Sequence, residues 1–149
     1  MPHTARNTLR WPLAFAAGFV AVLVFHQGIL ALLYGIHFQP HAPFPQQATS
    51  PFGVPAIWSL AFWGGVWGLV FALFERVFPR AWPAYLIAAL VFGAVGPTFF
   101  AWFVVFPLKG IPVAGGFTPT SLITGLSVNA AWGLGTGLFL LSVAGPRTA

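Results

Sequence analysis

Residues 11–36 read WPLAFAAGFVAVLVFHQGILALLYGI, a run without a formal charge. Spanning the hydrocarbon core of a bilayer takes about 20 mostly apolar residues. This stretch exceeds that, and it is far longer than the roughly 7–15 apolar residues of a secretory signal. No A-x-A-like cleavage site closes it, so Arg6 and Arg10 precede an uncleaved first span rather than a leader.

Three further stretches have the same character: 57–74, 84–106 and 122–143. In lipid every backbone N–H and C=O must find a partner within the segment, so apolarity alone dictates helix. The expected fold is an all-α integral membrane protein, a bundle of four transmembrane helices forming one domain over residues 1–149. Composition agrees. Of 149 residues, 58% are apolar, 17% aromatic and 5% charged, against about 25% charged in soluble domains. Such a chain cannot cover a water-facing surface, which excludes a soluble enzyme or a disordered tail. Its partner is the lipid bilayer.

The connections are polar or turn-rich. Residues 37–56 hold Pro40, Pro43, Pro45, Pro51 and Pro55 without a formal charge, which predicts an extended loop. Glu75, Arg76 and Arg80 mark a short second connection; Glu75-Arg76 reads as a solvated helix end, with half of a proton-uptake site as the alternative. Pro107, Pro112, Gly115, Gly116 and Pro119 mark the third. With four spans, Arg6, Arg10, Arg76, Arg80 and Arg147 share one side against Lys109 on the other. By the positive-inside rule both termini are expected in the cytoplasm. The net charge of +5 is scattered, with no basic patch of the kind that tracks phosphates, so no nucleic acid is expected.

Aligning Ser50–Phe74 with Gly115–Phe139, at an offset of 65, pairs Phe52 with Phe117, Trp67 with Trp132, Gly68 with Gly133, Leu69 with Leu134, Leu73 with Leu138 and Phe74 with Phe139. These matches suggest a two-hairpin repeat; shared membrane composition is the alternative.

Polar groups inside spans are the candidate site residues. At a rise of about 1.5 Å per residue, His26 lies about 15 Å, Thr98 and Asn129 about 12 Å and Trp63 about 9 Å from the outer ends of their helices. His26, Gln27, Trp63, Thr98 and Asn129 therefore form a candidate polar layer for a ligand, ion or proton pathway; packing by hydrogen bonds across helices is the other use of such groups. Pro97 adds an unpaired carbonyl at Gly93. Gly64 and Gly68 in span 2 and Gly125, Gly133 and Gly137 in span 4 are candidate helix-packing positions, because small residues let backbones approach. No metal site and no cofactor is expected. His26 and His37 stand about 16 Å apart on a continued helix, Pro40 breaks any helix joining His37 to His41, and there is no Cys and only one acid. A single His inside the spans also disfavours haem.

Together, FHQG in span 1, LAFWGGVWG in span 2, AWFVVFPLKG at the end of span 3 and NAAWGLGTGL in span 4 resemble an uncharacterised family of small four-helix proteins of the bacterial inner membrane, without an established function. The resemblance covers nearly the whole chain and implies that location. It carries over no catalytic residue. The expected function is non-enzymatic: an accessory or structural subunit, in a homo-oligomer or a larger membrane complex. The alternative is a small channel, transporter or ligand-binding protein using the polar layer.

Overall fold

The computed structural model describes the backbone of residues 3–144 and the side chains of residues 9–143. Arg147 lies outside the described residues, and of Arg6 only the backbone is described. Among the described residues, four helices are long and apolar enough to cross a membrane. Helix α1 runs continuously through His3–Ala21, a π-helical turn Val22–His26 and Gln27–Gly35. Helix α2 comprises Ala56–Phe74 and a final 3-10 turn, Glu75–Val77. Helix α3 comprises Trp82–Phe100, a second π-turn Ala101–Val105 and Phe106–Leu108. Helix α4 is Pro119–Ala144. The four stretches legible in the sequence thus extend by a few residues at most of their ends.

The helices alternate in direction. The end carrying residue 9, the α2–α3 connection and residue 143 is called proximal here, and the opposite end distal. Neighbours around the bundle run α2, α1, α4, α3. Two of the contacts bring backbone against backbone. A Cβ on Gly18 would strike the carbonyl of Gly64 and lie 3.0 Å from the Cα of Gly68, and a Cβ on Gly68 would strike the carbonyl of Ala14. In the other pair, a Cβ on Gly93 would strike the carbonyl of Asn129 and lie 2.8 Å from the Cα of Gly133, while one on Gly133 would strike the carbonyl of Ala89. Lipid offers no hydrophobic drive for helix association, so close van der Waals fit must supply it, and only the missing Cβ permits this approach.

The two close pairs are joined in a different way. Between α2 and α3 the gap is filled by rings: Trp67 meets Phe92 and Phe100 edge-on, and Phe71 meets Phe92 with centroids 5.4 Å apart. Trp132 reaches from α4 into the centre, where it is buried. Its indole N–H donates to the Gly18 carbonyl at 2.9 Å, which gives a buried donor its partner. Trp132, Phe71 and Leu140 are the largest fully buried apolar side chains.

The charge-free distal loop between α1 and α2 is more ordered than its prolines predict. Ala48–Thr49 (β1) pairs antiparallel with Val54–Pro55 (β2). Gln39 is buried and folds the chain around itself: its side chain accepts from the His41 N–H and donates to the His41 carbonyl, both at 2.7 Å.

Gly18→Val and Gly133→Leu are each expected to force a close helix pair apart, at a cost of about 1–3 kcal/mol from overpacking. Gly28→Ala should be close to neutral, since nothing lies within 4 Å of its Cβ position. Thermal unfolding in detergent micelles compares the three.

Candidate functional site

The sequence placed five side chains in one layer; the structure sorts them into two hydrogen-bonded pairs and one outward-facing ring. The first pair is Thr98 with Asn129. Asn129 donates through Nδ2 to the Thr98 hydroxyl at 3.0 Å, and Thr98 donates onward to the Gly125 carbonyl at 3.3 Å. Thr98 is fully buried. It follows Pro97, which cannot donate to Gly93, and that stretch of α3 lies directly on the glycine face of α4. The amide and hydroxyl thus consume each other at the α3–α4 contact.

The second pair is His26 with Gln27. The π-turn ends here, and the Gln27 N–H reaches back to the Val22 carbonyl, five residues away. The extra residue in the turn rotates the distal part of α1 relative to a regular helix. Gln27 is fully buried. Its Nε2 lies 3.3 Å from His26 Nδ1, and its Oε1 accepts the Phe44 N–H at 2.6 Å. Gln27 therefore pins the distal loop to α1. His26 is half-buried, and Gln27 is its only hydrogen-bond partner among the described residues.

Trp63 joins neither pair. It is 58% exposed on the outer face of α2 and stacks edge-on against Phe62. The sequence placed it slightly shallower than the other residues, and its azimuth directs it away from the bundle. The candidate packing glycines lie at side-chain or backbone contacts. Gly64 faces Val22 and Gly18, Gly68 faces Ala14, Gly125 faces the Trp102 indole, Gly133 faces Ala89, and Gly137 faces Ala89 and Tyr85.

The strongest polar cluster is one that the sequence reading treated as a solvated helix end. Glu75 is 3% exposed and Arg10 6%. Arg10 donates through Nε to Glu75 Oε2 at 2.8 Å and through its terminal nitrogen to Oε1. This two-point pairing of guanidinium and carboxylate is among the stronger hydrogen-bonding geometries. The Tyr85 hydroxyl also donates to Glu75 Oε1. One carboxylate therefore ties α1, α2 and α3 together at the proximal end. The available signal was that the chain has a single acid, and a lone carboxylate at the edge of a span needs a cation. Arg10 was legible only as a topology charge because its partner is 65 residues away.

Comparison with known protein families, with curated proteins and with solved structures finds no match. The function is accordingly read from geometry.

Glu75→Ala leaves Arg10 buried without its counter-charge and is expected to cost about 3–5 kcal/mol. The double variant Arg10→Met/Glu75→Leu should recover most of that loss. Unfolding in micelles, measured as a double-variant cycle, tests this.

Proposed function

We propose that this chain is a non-enzymatic, multi-pass protein of the bacterial inner membrane, with both termini in the cytoplasm, serving as a structural or accessory subunit of a homo-oligomer or a larger membrane complex. One observation carries the reading: the polar side chains within its spans are bonded chiefly to one another or to the backbone. Glu75 binds Arg10 and Tyr85, Asn129 binds Thr98, Thr98 binds the Gly125 carbonyl, and Trp132 binds the Gly18 carbonyl. The largest buried side chains are Trp132, Phe71 and Leu140, and the buried polar ones beside them, Gln27, Thr98 and Thr136, each have a hydrogen-bond partner. A four-helix bundle that packs its own centre leaves no bore of its own.

The cytoplasmic placement of the proximal end is supported by Arg76 and Arg80, both exposed there, against Lys109 at the distal end. A duplicated hairpin is supported by the two close crossings. Gly64 and Gly68 align with Asn129 and Gly133 at the offset of 65, and their partners Ala14 and Gly18 stand 75 residues before Ala89 and Gly93. Arg10 and Tyr85 share that spacing of 75, and both bind Glu75.

The second reading, a small channel, transporter or ligand-binding protein, draws on the π-turn that ends at His26, since π-turns interrupt helices frequently at functional sites.

Native mass spectrometry of the protein extracted in its own lipids should return a self-oligomer or a complex with other membrane subunits; a bare monomer would overturn the subunit reading. Flux measured in proteoliposomes should be at background for the wild-type chain. Flux above background that His26→Ala abolishes would establish the second reading instead. An alkaline-phosphatase reporter inserted within residues 37–56 should be active and one fused after Ala149 inactive; the reverse pattern would invert the topology.

A further inference from the structure

A groove of about 320 Å³ runs between α1 and α4, lined by Ala17, Val20 and Phe25 on α1 and by Gly135, Phe139 and Ser142 on α4, among others. One side of it is open. Val20 is 38% exposed there, and Ser142 is exposed at the proximal rim. Among the described lining residues Ser142 is the one with a polar side chain, and its hydroxyl donates to the Phe139 carbonyl at 2.8 Å. A Cβ on Gly135 would strike the Phe25 ring, so the glycine is what admits that ring. The other half of the bundle shows what fills such a space. At the offsets that relate the two close crossings, 75 between α1 and α3 and 65 between α2 and α4, Ala17 corresponds to Phe92, Gly135 to Val70 and Ser142 to Val77. These three lining positions are smaller than their counterparts, whereas Phe25 and Phe139 correspond to Phe100 and Phe74 and keep their rings. Between α2 and α3, Phe92 meets Trp67 edge-on and lies 5.5 Å from Phe74, ring centre to ring centre. Between α1 and α4 the ring that would meet Phe139 is missing, because residue 17 is alanine.

We propose that this groove is a binding site for a small apolar compound built on one or two fused six-membered rings, whose ring takes the place against Phe139 that the Phe92 ring takes against Phe74. Size supports the choice. An apolar cavity of about 150 Å³ accepts benzene, so a groove of about 320 Å³ accommodates a bicyclic ring, while a helix, about 10 Å across with its side chains, overfills it. Contact chemistry separates a ring from an acyl chain of the same volume. Offset and edge-on contacts to Phe25 and Phe139 attract a ring beyond the area it buries. A rigid ring also has few rotatable bonds to immobilise on binding. The lining is apolar except at Ser142, the usual composition of a small-molecule site. A polar substituent on the ring therefore points toward the proximal rim.

The choice of occupant rests on the duplicated hairpin, and entry from lipid rests on the chain spanning a bilayer; the test separates both from the site itself. The full chain is reconstituted in phosphatidylethanolamine–phosphatidylglycerol vesicles and photolabelled with naphthyl azide, and the labelled positions are mapped by peptide mass spectrometry. Saturable labelling is expected within residues 17–25 and 135–142. Excess naphthalene should displace it and excess palmitate should not. Ala17→Phe, which supplies the missing ring, should abolish this labelling. Where Ala17→Phe fails to fold, Val20→Trp at the open side should abolish it instead. Labelling that does not saturate, or that palmitate displaces as well as naphthalene does, would overturn the site and assign the groove to acyl chains. A groove that stays unlabelled would also overturn it and point to a second copy covering this face. Labelling undiminished in a folded variant would overturn it too. Phe92→Ala is expected to open a matching site, with new saturable labelling within residues 70–77 and 92–100. If the α1–α4 groove labels as expected and the second site does not appear, the repeat fails and the site stands. Non-saturable labelling at the exposed Phe62 and Trp63 reads insertion itself, and its absence would sink the membrane reading.

Discussion

Two crossings of backbone on backbone hold this bundle, and the remaining contacts are arranged around them. At the first, Ala14 and Gly18 meet Gly64 and Gly68; at the second, Ala89 and Gly93 meet Asn129 and Gly133. Lipid tails are as apolar as leucine, so burying a leucine between two helices gains little in a membrane. Contact surface and hydrogen bonds must do the work that water does for a soluble core. A single Cβ at Gly18, Gly68, Gly93 or Gly133 would meet a carbonyl oxygen, and no side-chain rearrangement can relieve a clash with backbone.

Close crossings leave space elsewhere, and large rings occupy it. Trp67, Phe71 and Phe92 fill the α2–α3 side, and Trp132 fills the axis. Every ring nitrogen or carboxylate brought into this interior needs a partner, because a bare polar group in hydrocarbon costs several kcal/mol. Trp132 uses the Gly18 carbonyl, which a side chain can approach because Gly18 itself has none. Glu75 uses Arg10 and Tyr85. The Arg10–Glu75 pair is weak evidence of net stabilisation, since desolvating both ions offsets much of their attraction. Its effect is selective: a register that separated the two would leave a buried charge unpaired.

The polar residues nearer the distal end serve the same economy. Asn129 and Thr98 satisfy each other at a close crossing, and Gln27 holds Phe44 of the loop. These bonds average about 0.6 kcal/mol in membrane proteins, so they orient more than they stabilise. Together they tie α3 to α4 and the distal loop to α1.

The number of spans, their helical state and the small-residue faces were legible in the sequence, because each follows from a local constraint. A run such as residues 11–36 admits only helix in lipid, and a glycine stripe spaced by four residues marks one face whatever lies opposite. Azimuth and partnership were not. Trp63 was read as part of the polar layer but faces outward, because α2, apart from its Gly64–Gly68 face, is so uniformly apolar that little local distinguishes its inner from its outer side. Glu75 was legible as a charge at a helix end, yet its burial depends on Arg10, 65 residues earlier. Neither the π-turn at Val22–His26 nor the hairpin around Phe52 was read from the sequence. Local chemistry determined what each segment is; only the tertiary structure decided which side chains meet, because in a helix of nearly uniform hydrophobicity the facing side is set by the neighbour.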